Sequence, residues 1–138
     1  MIELFSKQGV SVPITTTMVW EAYKHVKQGG EAPGTDGLTW EYLHAHRSQL
    51  LYQLWIRLAS GSYFPKAIKA ISIPKKDGSK RMLGLPTLLD RIAQQVVRVH
   101  LERCLEPHFH QNSYGYRPGK SMHDGINKAK FSRRQYPY

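Results

Sequence analysis

The 138-residue sequence predicts an α+β fold, mostly helical with one small antiparallel β-hairpin. Three observations lead there. Apolar residues recur at helical spacing on both sides of residues 67–85. Between them the pattern shortens to two strand-like segments. Asp77-Gly78 sits between those segments, where a hairpin needs its turn.

Thr15, Thr16 or Thr17 can cap a first helix, which carries Val19, Tyr23 and Val26 on one face and stops at Gly29-Gly30. Residues 31–39 are rich in Pro, Gly and Asp and read as a tight loop. Thr39 then caps a second helix. On it Leu43, Leu50, Leu51, Leu54, Trp55 and Leu58 make one continuous buried stripe, ended by Gly61. Ala67–Ile73 and Lys80–Leu85 are the strand-like segments, and both residues of Asp77-Gly78 tolerate positive φ. Thr87-Leu-Leu-Asp90 is a capping box opening a third helix. Its buried candidates are Ile92, Val96, Val99 and Leu101, and Pro107 closes it. A second capping box, Ser121-Met-His-Asp124, opens a last helix bearing Lys128, Lys130, Arg133 and Arg134.

Composition narrows the function. With 41% hydrophobic and 11% aromatic residues the chain can bury a core, which argues against disorder. No apolar run approaches the ~18 residues of a membrane span, and the first residues lack a signal-peptide layout, so no membrane partner is expected. One cysteine, Cys104, excludes an internal disulfide framework and fits a reducing, cytoplasmic setting. The net charge of +10 is lopsided. Residues 1–66 hold six Lys/Arg against five Asp/Glu, and residues 67–138 hold fourteen against five. Such an asymmetry suggests a surface made for a polyanion, a solvated basic face being the alternative.

The hairpin Ile73-Pro-Lys-Lys-Asp-Gly-Ser-Lys-Arg81 concentrates Lys75, Lys76, Lys80 and Arg81 on one arm. A two-stranded arm of this kind can close over a triphosphate, Lys giving a compact charge and Arg a bidentate fork. It also reads as an ordinary hairpin whose lysines discourage edge pairing. The loop Ser113-Tyr-Gly-Tyr-Arg-Pro-Gly-Lys-Ser121 interleaves aromatics with cations, a mixture that can meet bases and phosphates. Otherwise it is a rigid connector with buried tyrosines. Lys130, Arg133 and Arg134 can track a nucleic-acid backbone or form a solvated helix face. Neither His44 with His46 nor His108 with His110 gathers the three or four ligands a zinc site wants, so no metal site and no catalytic residue is assigned. Cys104 reads as a small buried thiol on a helix stripe.

Six blocks, taken together and in order, resemble the opening of the group II intron-encoded reverse transcriptases and maturases. They are Pro33-Gly-Thr-Asp-Gly-Leu-Thr39, Gly61-Ser-Tyr-Phe-Pro65, Ile73–Arg81, Leu83-Gly-Leu-Pro-Thr87, Asp90-Arg91 and Ser113–Ser121. The likeness runs from about residue 15 to the end. It implies the fingers lobe of a right-hand polymerase, one domain over residues 1–138, with palm, thumb and maturase regions absent.

The resemblance also implies roles. Lys75 and Arg81 match the hairpin cations that hold the incoming nucleotide's triphosphate, with Lys76 and Lys80 as neighbouring candidates. Gly34, Thr35 and Asp36 belong to a loop that lies over template RNA, and Arg117, Lys120 and Ser121 to a segment beside the template-primer. Met82 departs from relatives, which commonly place Pro there. The implied partners are template or intron RNA, a DNA primer and dNTP. Mg²⁺ would serve the intact enzyme, held by aspartates. In this chain no Asp-Asp pair occurs, and Asp124 is the only acid after Glu106. The 138 residues are therefore expected to bind nucleic acid, hold no Mg²⁺ and polymerise nothing, their abrupt end reading as truncation. A stand-alone basic RNA-binding module is the alternative, and a homodimer through the leucine-rich second helix is compatible with either.

Overall fold

Thr15 opens the first helix, α1 (Thr16–Lys27), because its hydroxyl accepts the Met18 N–H at 3.3 Å and relieves one orphan donor. The computed structural model describes residues 13–30 and 32–135. After α1 come α2 (Trp40–Ala45), α3 (Arg47–Ala59), strands β1 (Lys69–Pro74) and β2 (Lys80–Leu85), α4 (Leu88–Leu105), a 3-10 turn at Glu106–His108, and α5 (Met122–Gln135). The architecture is helical with one two-stranded antiparallel sheet, an α+β fold. Two units divide it, Met1–Val99 and His100–Tyr138.

In the first unit four helices supply the core: Val19, Ala22 and Tyr23 from α1, Leu43 from α2, Leu51 and Leu54 from α3, and Leu88, Ile92, Ala93 and Val96 from α4. Leu43, Leu88 and Ile92 are fully excluded from solvent, and each such side chain stabilises the fold by about 1.5–3 kcal/mol. Leu43, Leu51 and Leu54 of the expected stripe thus face this unit's own core, with Leu50, Trp55 and Leu58 partly buried against it. Trp55 and Trp40 fasten chain segments as well as fill space. Trp55 Nε1 donates to the Ile14 carbonyl at 2.8 Å, and Trp40 Nε1 to the Gly30 carbonyl at 3.0 Å.

The expected single second helix is broken at His46, whose φ of −109° and ψ of 20° leave the helical range. Side chains add hydrogen bonds to carbonyls at the break. His46 Nδ1 lies 3.0 Å from the Tyr42 carbonyl, and Arg47 Nη1 donates to the His44 carbonyl at 3.0 Å. The His46 ring also stacks on Tyr42. Gly61 does end α3, in a left-handed conformation with Gly61 N bonded to Leu58 O and Ser62 N to Arg57 O.

In the hairpin, Lys69 faces Leu85, Ile71 faces Leu83, Ile73 faces Arg81 and Pro74 faces Lys80. Its loop has three residues, a departure from the two-residue turn in which Asp77 and Gly78 both take positive φ. A turn closes from the Lys75 carbonyl to Gly78 N–H, and only Gly78 goes left-handed, with φ 82°. Asp77 instead uses its carboxylate, accepting from Ser79 N–H and Ser79 Oγ–H.

Thr87 and Asp90 form the predicted cap of α4, with Asp90 N–H donating to Thr87 Oγ1 at 3.2 Å. Ile92 and Val96 are buried as expected, but Leu101 is 38% exposed. Five residues beyond Val96, it lies about 140° round the helix from the buried stripe.

In the second unit Ser121 and Asp124 complete a reciprocal cap for α5, each taking the other's backbone N–H. No residue of α5 is buried. Cys104, expected as a buried thiol, is exposed, with Sγ 3.9 Å from His100 Nε2 one turn back. Among the described residues no helix is long and apolar enough to cross a membrane.

Candidate nucleic-acid and nucleotide interface

The pleat sorts the cations of the hairpin. Residues directly opposite in an antiparallel pair share a face, and faces alternate along each strand. Ile71, Ile73, Arg81 and Leu83 therefore share one face, and Ser72, Pro74, Lys80 and Met82 the other. Lys75, whose N–H donates to Ser79 O at 2.8 Å, falls one pair beyond Pro74 and so returns to the Arg81 face. Lys76 lies in the loop. So Lys75 and Arg81 stand as diagonal neighbours, while Lys80 points away from both. All four are exposed, and none has an ion pair with a carboxylate among the described residues. The arm's own acid, Asp77, is held by its Ser79 hydrogen bonds, which lower its pKa below the ordinary 3.8.

The 32–39 loop is anchored where the chain enters β1. Gly34 is buried, and a Cβ built on it would lie 2.6 Å from Thr87 Cα, so no larger residue fits. Thr35 Oγ1 donates to the Ala67 carbonyl at 2.7 Å. Asp36 accepts from Leu38 N–H and pairs with Lys66 Nζ at 3.2 Å. The three predicted template-contacting residues thus use their side chains, or the lack of one, to fix this loop beside the segment leading into the hairpin.

Sequence reasoning gave Asp90 only a place in the α4 capping box and Arg91 no site role, yet these adjacent residues hold both segments. Asp90 is 2% exposed and accepts from Thr87 Oγ1 at 2.6 Å, from Lys66 N–H at 3.2 Å and from the Tyr63 hydroxyl. Burial, together with the bond to Asp90, pushes the Tyr63 phenol well above its ordinary pKa. Arg91 donates to the carbonyls of Pro86, Gly30 and Ala32, and burial draws its pKa down. The signal available in the sequence was the acid that closes the capping box with a base directly after it. Nothing local says that their partners lie some 25 and 60 residues away, as separations of 27 to Tyr63 and 61 to Gly30 show.

In the second unit Arg117 is turned inward. Its Nε and Nη2 both donate to Glu106 Oε1, at 3.0 and 2.7 Å, and Nη1 donates to the carbonyls of His110 and Ser113. With its side chain 9% exposed and stacked over Phe109, Arg117 fixes the loop and has little left for a phosphate. Lys120 remains exposed, its Nζ 5.5 Å from the Tyr114 ring centre. Ser121 gives its hydroxyl to Asp124 Oδ2 at 2.7 Å, and this bond chiefly lowers the Asp124 pKa. Since Asp124 is consumed at the N-terminus of α5, the rest of that helix carries only cations. Lys130 and Arg134 share a face and Arg133 flanks them, all exposed.

Two-metal chemistry needs clustered carboxylates. No group of three or more His, Cys, Asp or Glu converges among the described residues. The acids that meet other groups there serve a turn (Asp77), caps (Asp90 and Asp124) or ion pairs with Lys24, Lys66 and Arg117.

Residues 73–138 match the family model for reverse transcriptase (RNA-dependent DNA polymerase). Protein YkfC of Escherichia coli is 39% identical over 103 residues, 75% of this chain and 27% of the relative. The group II intron-encoded protein LtrA of Lactococcus lactis is 39% identical over 74 residues, 53% of this chain and 12% of the relative. An uncharacterised 91 kDa protein in the cob intron of Schizosaccharomyces pombe is 38% identical over 58 residues, 42% of this chain and 7% of the relative. The matched stretches cover about a quarter or less of these relatives' lengths. The ordered blocks, the cationic hairpin and these likenesses together place the chain in the reverse transcriptase family, in its group II intron-encoded reverse transcriptase and maturase branch.

Proposed function

We propose that the chain acts as the fingers part of an RNA-directed DNA polymerase of the group II intron type, gripping template RNA and the incoming nucleotide. One observation carries the reading: Lys75 and Arg81 project from one face of an exposed arm with no carboxylate partner among the described residues. A compact ammonium beside a planar guanidinium suits a triphosphate, the first neutralising charge and the second engaging two oxygens. Lys76 and Lys80 enlarge the positive field around the arm. Lys80 faces away from Arg81 and is assigned to nucleic acid, not to the same triphosphate.

The Gly34–Asp36 loop, held by Thr87, Ala67 and Lys66, offers a stiff surface to the template. Lys120, Lys130, Arg133 and Arg134 follow the phosphate backbone, while Arg117 and Ser121 shape the loop and helix that present them. The chemistry of bond formation lies outside this set of residues, since the carboxylates needed for two Mg²⁺ ions are not among them. On this reading the 138 residues alone bind and do not polymerise.

Fluorescence anisotropy with labelled single-stranded RNA, and with a fluorescent dNTP, tests the proposal. The chain should bind RNA with a steep salt dependence, and the Lys75→Gln/Arg81→Gln pair should weaken dNTP binding more than Lys80→Gln does. A chain that binds neither probe, or one that extends an RNA-templated primer unaided, defeats the reading.

A further inference from the structure

One side chain in the 113–121 loop is placed at a conformational cost that its own contacts do not repay. Tyr116 has φ of 55°, making it the sole left-handed non-glycine among the described residues. Its ring is wholly exposed, at 106% of the reference accessibility. An L-residue in this region is strained and stays there only when its surroundings over-determine the backbone. Here they do. Gly115 precedes it, and Arg117 follows, tied through its guanidinium to Glu106, His110 and Ser113. Next comes a turn from Arg117 to Lys120, closed by Lys120 N–H to Arg117 O at 3.3 Å, with Gly119 at φ 66°. Tyr114, two residues back, is packed against Gly125, where an added Cβ would come within 3.3 Å of the ring. Tyr114 is thus folded inward and Tyr116 held outward.

We propose that Tyr116 is a stacking platform for an unpaired nucleic-acid base, an inference that rests on reading the chain as a nucleic-acid-binding module. A ring open on both sides accepts any base, because every base has a π-face. Exposed Lys120, in the same short loop, supplies a cation for the phosphate next to a stacked base. A protein-binding tyrosine would instead want a ring of apolar neighbours that exclude water. Around Tyr116 the loop offers Gly115, Pro118, Gly119 and Lys120, all exposed and only Pro118 apolar. The chemistry therefore favours a base over a protein surface.

The experiment uses the 138-residue chain, a labelled single-stranded RNA and an abasic oligomer of equal length. Tyr116→Ala should weaken RNA binding roughly tenfold, the worth of one base–ring stack, and leave the abasic oligomer unaffected. Tyr116→Trp should bind RNA as the parent does. Tyr116→Gly should lose binding like the alanine variant yet melt at or above the parent temperature, since glycine relieves the strain. Equal RNA affinity for parent and Tyr116→Ala overturns the platform. So does an equal loss on both oligomers, which marks a backbone contact, or a lost self-association with RNA binding intact, which marks a protein contact. A lower melting temperature for Tyr116→Gly removes the strain argument and the proposal with it. If the parent chain binds no RNA at all, the underlying module reading falls too.

Discussion

Gly34 and Thr87 pack backbone against backbone: a Cβ on Gly34 would sit 2.6 Å from Thr87 Cα and 2.8 Å from Thr87 N. Thr87 is itself the cap of α4 and a donor to Asp90, so this contact joins the 32–39 loop to the start of a core helix.

Gly34→Ala forces that backbone contact apart, because neither neighbour is a flexible side-chain end. It should destabilise the first unit by about 1–3 kcal/mol, as overpacking does. Urea unfolding followed by far-ultraviolet circular dichroism measures the loss, and an unchanged midpoint would contradict the contact.

The Tyr63–Asp90 bond predicts a dependence on alkaline pH. Burial and the carboxylate raise the phenol pKa in the folded state above the ordinary 10.0 of the unfolded chain. A raised acid keeps its proton better when folded, so the stabilisation is complete below pH 10 and declines as pH climbs beyond it. Tyr63→Phe should be less stable than the parent at pH 7 by about 1–3 kcal/mol, because a buried carboxylate is left without its phenol donor. The difference should narrow above pH 10, and parallel stability curves would refute the assignment.

Arg117→Lys keeps the charge and removes the fork. A lysine cannot reach Glu106 and two carbonyls together, so the loop should loosen and the second unit should lose on the order of 2 kcal/mol. Hydrogen exchange at residues 110–120 reads this out directly. If exchange and RNA affinity both stayed at parental levels, Arg117 would not be the residue that stiffens the loop.

Neutralising Lys130, Arg133 and Arg134 together should reduce the slope of log affinity against log salt by roughly 0.7 for each phosphate that is no longer neutralised. A uniform weakening across RNA sequences is expected, because binding to phosphates carries no base information. The same slope in parent and variant would make α5 a solvated face.

Much of the fold and part of the interface were legible before any coordinates. Thr39 as a cap, the Thr87–Asp90 and Ser121–Asp124 boxes, Gly61 as a terminator and the hairpin around Asp77-Gly78 are local devices, set by residues a few positions apart. The clustering of Lys75, Lys76, Lys80 and Arg81 was visible for the same reason, and so was the family, which is written in ordered short blocks.

Tertiary structure alone decided which of those residues face outward. It put Lys75 with Arg81 and Lys80 behind them, turned Arg117 onto Glu106 and left Tyr116 bare. It broke the second helix at His46 and used Asp90 and Arg91 to clasp Tyr63, Lys66, Gly30 and Ala32. Composition and short-range pattern encode what a segment can form and how much charge it bears. Which donors are satisfied internally depends on partners brought close by long loops, and that information belongs to the packed chain, not to any window along it.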